Sequence, residues 1–318
     1  MLKKTVQGAI LLLWATRKPH STAEVSKPGF FPQYLQYDYG ITDPYGFYLK
    51  LKEKGLYRKA RMDEVLSSLT ASKLKELLSA RNLKKSGAKE ELIERCAKEL
   101  PKEDLQGLLD EEYYTLSDGA IEVILKNQIL IDLRQYPEWN LTYEEFIENQ
   151  KKCPPGFSDR DVLWRIFNSR VTESIQKMNW IGIRESYLGL AEVSLKYDGD
   201  ERRAVSFWAT TLFFDMNAAK QLHWEAMAAG RPSSEFLNER SIGAIICFPP
   251  ALIETLRKYA DTLETIPVAK IIKPPAKIFD NEDYQNIIED IVSENPFDLR
   301  GWENACRIKS ILWARSLK

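Results

Sequence analysis

The feature that most constrains this chain is the stretch SLTASKLKELLSARNLKKSGAKEELIERCAKEL, from Ser68 to Leu100. Thr70 stands where a helix N-cap hydroxyl would accept a backbone N–H, and Leu74, Leu77 and Leu78 then recur on one helical face. Asn82 ends this first helix, and Leu83 is expected to plug back toward the core from an extended loop. Ser86-Gly87 turns the chain, and Gly87 suits a position needing positive φ or an unhindered backbone N–H. A second helix from about Ala88 faces Leu92, Ile93 and Cys96 toward the first. Two short amphipathic helices and a loop leucine close a core of roughly 35 residues, which is marginal alone and leans on a host domain.

At these residues the stretch resembles the SAP family, a small DNA-binding fold. The resemblance is carried by Leu69, by Leu74-Lys75-Glu76-Leu77-Leu78, by Leu83, and by the run Gly87-Ala88-Lys89-Glu90-Glu91-Leu92-Ile93-Glu94-Arg95. It places a SAP module at about residues 65–100. In that family DNA is contacted by the start of the first helix, the loop and the start of the second helix. Carried over to this chain, the resemblance makes Lys73, Lys84, Lys85, Ser86, Gly87 and Lys89 the DNA-binding candidates.

The chemistry of these residues is sound. Helix N-termini present unpaired N–H groups at a positive dipole end. Gly87 lets backbone amides approach a phosphate, and Lys84, Lys85 and Lys89 supply counterion-releasing charge. The same Lys-Lys-Ser-Gly also reads as an ordinary solvated loop. Glu90, Glu91, Glu94 and Glu99 offset part of the module's basic charge, so a protein-binding module remains the alternative. The wider layout, with Tyr37-Asp38-Tyr39-Gly40-Ile41 ahead of the module and a helical second half, resembles SAP-containing proteins of Gram-positive bacteria and their phages.

Charge narrows the classes further. The chain has 318 residues, 45 basic and 46 acidic side chains, so no global field drives it onto nucleic acid or a membrane. Polyanion binding must come from a local patch. Length favours two or three units, and 44% apolar residues are enough for real cores. Cys96, Cys153, Cys247 and Cys306 lie far apart without a C-x-x-C pair, which suits a reducing cytoplasm rather than a disulfide framework or a zinc knuckle. The apolar run Ala9–Ala15 follows Lys3 and Lys4, but it is too short to span a bilayer and leads into Arg17 and Lys18. It reads as a buried strand or helix, with no membrane partner expected.

The remaining pattern sets the architecture. Residues 28–60 are rich in Pro, Gly and Tyr. Asp43-Pro44 starts a helix carrying Phe47, Tyr48 and Leu51, Gly55 ends it, and Leu56-Tyr57 begins an extended segment. Tyr113-Tyr114-Thr115-Leu116 alternates like a strand, and Ser117 or Asp118 caps a helix carrying Ile121, Ile124 and Leu125. These flanks are two halves of a winged-helix outline with the SAP module inserted between them. Lys151 to Gly156 marks a break at Pro154-Pro155.

Beyond it three helical stripes follow: Leu163, Phe167, Val171, Ile175 and Met178; then Tyr187, Leu188, Ala191 and Leu195; then Ala204, Phe207, Trp208, Leu212 and Phe213. They resemble tetratricopeptide-like α-hairpins. Further helices are expected at Ser241–Cys247, Ala251–Leu263, Tyr284–Val292 and Leu299–Leu317, with Pro267, Pro274 and Pro275 in a linker. The expected fold is mainly α. An α+β part at 1–150 holds the module, a tetratricopeptide-like domain spans 157–265, a linker 266–280, and a helical pair 281–318.

No catalytic, cofactor or metal site emerges. The chain lacks a G-x-x-x-x-G-K-S/T loop, G-x-S-x-G and H-E-x-x-H. Asp132, in the strand-like Ile129–Arg134 run, has no evident partner for metal-dependent chemistry. His20 and His223 lie at no ligand spacing, and the tryptophans sit at core spacing without basic stripes. The expected function is non-enzymatic binding of double-stranded DNA with low sequence specificity, with a protein partner at the helical half. The alternative is a protein–protein scaffold.

Overall fold

The computed structural model describes residues 1–110, 112–273, 278–293 and 297–317. The chain is mainly α-helical and divides into two units, Met1–Gln135 and Tyr136–Lys318.

In the first unit the apolar N-terminal run forms the helix Lys4–Ala15, with Leu11, Leu12 and Leu13 almost completely buried. Asp43 caps the helix Pro44–Glu53 by accepting the Gly46 N–H at 2.9 Å, with Pro44 at the first helical position. Three short strands follow the order β1 (His20–Ser21), β3 (Tyr113–Leu116), β2 (Tyr57–Lys59), both pairs antiparallel. Tyr57 stands opposite Leu116, Arg58 opposite Thr115 and Lys59 opposite Tyr114. The ladder continues in the Ala60 N–H, which donates to the Tyr113 carbonyl at 2.9 Å. The last strand is therefore central, and the chain between Arg61 and Glu112 runs between two neighbouring strands of the sheet.

A buried polar network backs the sheet. His20 Nδ1 lies 2.8 Å from the Lys18 carbonyl, so it carries the proton, and Nε2 accepts from the Tyr48 hydroxyl at 3.0 Å. Thr16 donates to the Leu12 carbonyl at 2.8 Å and so accepts from the Tyr57 hydroxyl at 2.6 Å. Ile129–Arg134, strand-like by sequence, lies in the helix Gln128–Gln135. Its Asp132 is fully buried and accepts from Gln128 one turn earlier, at 2.7 Å. Ile129, Leu130, Ile131 and Asp132 are buried in succession, and a short apolar run of this kind fits a core helix as well as a strand.

In the second unit the helices Asp159–Gln176, Trp180–Asp198 and Glu201–Met216 run antiparallel in sequence order. Arg160 at the start of the first pairs with Asp198 at the end of the second, at 2.7–2.8 Å. Arg184 near the start of the second pairs with the buried Asp215 at the end of the third, at 2.5 and 3.0 Å. Close approach of the first two helices needs a glycine. A Cβ on Gly189 would stand 2.5 Å from the Phe167 ring.

The buried stripe of the first helix is Val162, Leu163, Ile166 and Phe167, whereas Ile175 from the expected stripe is half exposed. The Lys151–Gly156 break lies inside this unit, where the preceding helix Tyr143–Lys151 buries Phe146.

The 266–280 stretch, expected as a linker, contributes Ile266, Val268, Ile271, Ile278 and Phe279 to the core. Pro274 and Pro275 lie outside the described residues. Asn217 joins this stretch to the helices. Its side chain donates to the Phe213 carbonyl and the Tyr284 hydroxyl and accepts the Ile278 N–H, all within 2.9 Å. The last two helices are Asn281–Ser293 and Leu299–Ser316.

Candidate nucleic-acid interface

The inserted module is built from the helices Met62–Ser68, Ala71–Ala80, Lys89–Glu99 and Lys102–Asp110. Leu66, Leu69, Leu74, Leu78, Leu92, Cys96 and Leu100 form its buried core, with Leu77, Leu83 and Ile93 packed at the margin. Thr70 Oγ1 accepts the Lys73 N–H at 3.2 Å and starts the second of these helices. That helix ends in a Schellman motif. Asn82 takes φ 55°, its N–H reaches the Ser79 carbonyl at 3.0 Å, and the Leu83 N–H reaches the Leu78 carbonyl at 2.9 Å. This closure turns Leu83 back against Leu78, which is the plug that the sequence calls for.

The loop from Lys84 to Ala88 then hangs on one side chain. Arg95 Nη1 donates to the Lys84 carbonyl at 2.7 Å and the Ser86 carbonyl at 3.0 Å. Gly87 sits at φ 134°, and a side chain there would run into the Glu91 carboxylate. Ala88 offers no side-chain cap to the helix Lys89–Glu99.

The six candidates differ in their surroundings. Lys84, Lys85, Ser86 and Gly87 are exposed on the loop, and neither lysine has an ionic partner among the described residues. Lys73 is exposed on the first turn of its helix, 3.5 Å from Glu76. Lys89 is half-buried and donates from Nζ to the Ser67 carbonyl at 2.9 Å, so its charge ties the module together. Lys98, farther along, pairs with Glu94 at 2.7 Å.

Two further arginines carry the architecture. Arg81 holds Asp104 in a bidentate pair at 2.6 and 2.5 Å, which depresses the Asp104 pKa. Arg58, on β2, grips Glu64 at 2.8 and 2.6 Å, and chiefly for that reason the Glu64 carboxyl titrates down at about 2. The second pair fastens the module to its sheet. Sequence reasoning missed Arg58, Arg81 and Arg95 as structural cations. Arg95 stands within the family-like run, and only that position hinted at a role.

Elsewhere the tryptophans behave as core or half-buried groups: Trp180 and Trp208 are buried, and Trp139 stacks on Tyr136 at 4.7 Å. His223 bonds Ser233 at 2.8 Å through Nδ1. Among the described residues no group of three His, Cys, Asp or Glu side chains could hold a metal ion, and no helix is long and apolar enough to cross a membrane.

Residues 65–95 match the family model of the SAP domain. No curated protein and no solved structure gives a match to the chain.

Proposed function

We propose, taking as premise the SAP domain, a nucleic-acid-binding module, at residues 65–95, that this chain is a non-enzymatic DNA-binding protein of the cytoplasm. The module grips the phosphate backbone of double-stranded DNA with little regard to sequence, and the helical second unit serves as a docking surface for a protein partner. The observation that carries this reading is the loop itself. Lys84 and Lys85 project as exposed cations, unpaired among the described residues, from a backbone fixed by Arg95. Cations that neutralise phosphates release counterions and position the protein without reading bases. Exposed Ile308 and Leu312 on the helix Leu299–Ser316 support the docking role of the second unit.

The test is a mobility shift of the full chain on mixed-sequence duplexes over a salt series. Replacing Lys84 and Lys85 with Ala should weaken binding equally on all sequences. The log–log salt slope should flatten by about 2, at roughly 0.9 per lost contact. An absence of any shift, together with captured partners that survive nuclease, would favour the protein-scaffold reading. Turnover of plasmid or ATP with Mg²⁺ or Mn²⁺, tracking the chain through an orthogonal purification, would refute the non-enzymatic part.

A further inference from the structure

The loop between the module helices turns two carbonyl oxygens inward, those of Lys84 and Ser86, onto Arg95 Nη1. In a planar trans peptide the C=O and the following N–H point in opposite directions. Drawing these two carbonyls toward Arg95 therefore turns the N–H groups of Lys85 and Gly87 away from it, toward the exposed side of the loop. Neither N–H has an acceptor among the described residues. The side chains of Lys84 and Lys85 flank the same stretch and are exposed.

We propose that Arg95 is a positioning residue for polyanion binding: it holds the Lys85 and Gly87 amides outward as a pair of donors for one backbone phosphate. This rests on the nucleic-acid reading of the module given above. Arg95 itself is half-buried, with its donor nitrogen already shared by two carbonyls, so it acts through the loop. Oriented backbone amides of this kind make anion-binding concavities. Gly87 is required on two counts, its positive φ and the nearby Glu91 carboxylate. That carboxylate also places a negative charge next to the proposed phosphate position, which weakens the site.

The experiment compares the full chain with Arg95→Met, Arg95→Lys and Glu91→Gln on one short mixed-sequence duplex across a salt series. Arg95→Met keeps much of the aliphatic stem and removes the donors. Affinity should fall about tenfold through loss of two oriented hydrogen bonds. The salt slope should hold, because amides release no counterion. Arg95→Lys should recover part of the affinity, and Glu91→Gln should bind more tightly than the parent.

An Arg95→Met chain with parental affinity overturns the proposal. A slope reduced by about 0.9 overturns it too, since Arg95 would then touch phosphate directly. If the parent itself fails to bind duplex, the reading of the module falls instead. Should Arg95→Met not fold, amide resonances of the unaltered chain decide: those of Lys85 and Gly87 should shift on adding duplex, and unmoved resonances refute the cradle.

Discussion

Tyr57 and Leu116 face each other across neighbouring antiparallel strands, although the whole SAP domain lies between them in sequence. The module thus leaves and re-enters the first unit through a closed pair of strands. Its attachment is local: Arg58 on Glu64, Ala60 on Tyr113, and Val65 packed between Ala60 and Tyr113.

Excision should therefore be tolerated. Replacing residues 62–110 with a short Gly/Ser linker shortens a loop, and closure entropy depends only weakly on loop length. The shortened chain should keep β2 paired with β3 and melt cooperatively, at a somewhat lower temperature because Val65 and the Arg58–Glu64 pair are lost. Thermal melts followed by near- and far-UV circular dichroism test this. Loss of a cooperative transition would make the module part of the core.

The lysines of the module should not behave alike. Lys89 is committed to the Ser67 carbonyl, whereas Lys84 and Lys85 have no ionic partner among the described residues. Changing Lys89 to Ala should lower the melting temperature of the module and leave the salt slope of DNA binding close to that of the parent. A slope loss as large as that of Lys84→Ala would place Lys89 on a phosphate instead.

Burial lowers the His20 pKa below its ordinary 6.5, despite the opposing pull of the Lys18 carbonyl and Glu24. The folded chain favours neutral imidazole, with Nε2 as acceptor for Tyr48. The unfolded chain then binds the proton more readily, so stability is complete above pH 6.5 and falls as pH drops below it. Melting curves from pH 8 to pH 5 should show this loss in the first unit. His20→Gln should be less stable at neutral pH but flatter across the same range. An equal pH dependence in the variant would remove His20 as its source.

Glu192 has the opposite linkage. Burial, with Glu138 adding repulsion, raises its pKa to about 8, against the hydrogen bond at 2.7 Å that it accepts from Trp139 Nε1. A carboxyl whose folded pKa is raised favours the folded state below its unfolded value of 4.5. That contribution fades as pH rises toward 8. Glu192→Gln keeps an acceptor for Trp139 and has no charge to bury. It should melt higher than the parent at pH 8, with the gain shrinking toward pH 5. A variant that is destabilised equally at both pH values would show that the carboxylate is the form the fold prefers.

What the sequence determined by itself is whatever rests on neighbours along the chain. The Thr70 cap, the leucine face of Ala71–Ala80, the stop at Asn82 and the turn at Gly87 all follow from short-range sterics and hydrogen bonding. The same holds for the Asp43-Pro44 start and the succession of helices after residue 158. Tertiary structure decided whatever depends on a partner far away in sequence. It made Ile129–Arg134 a helix, because a short apolar run fits a buried helix as well as a strand and only packing decides between them. It drew Ile266, Val268, Ile271, Ile278 and Phe279 into the core, where Asn217 satisfies the Ile278 amide. It also sorted the basic side chains of the module into those that face solvent and those that hold it together. Charge and spacing are blind to that division, since a lysine that faces solvent and a lysine on the Ser67 carbonyl look the same until the chain has folded.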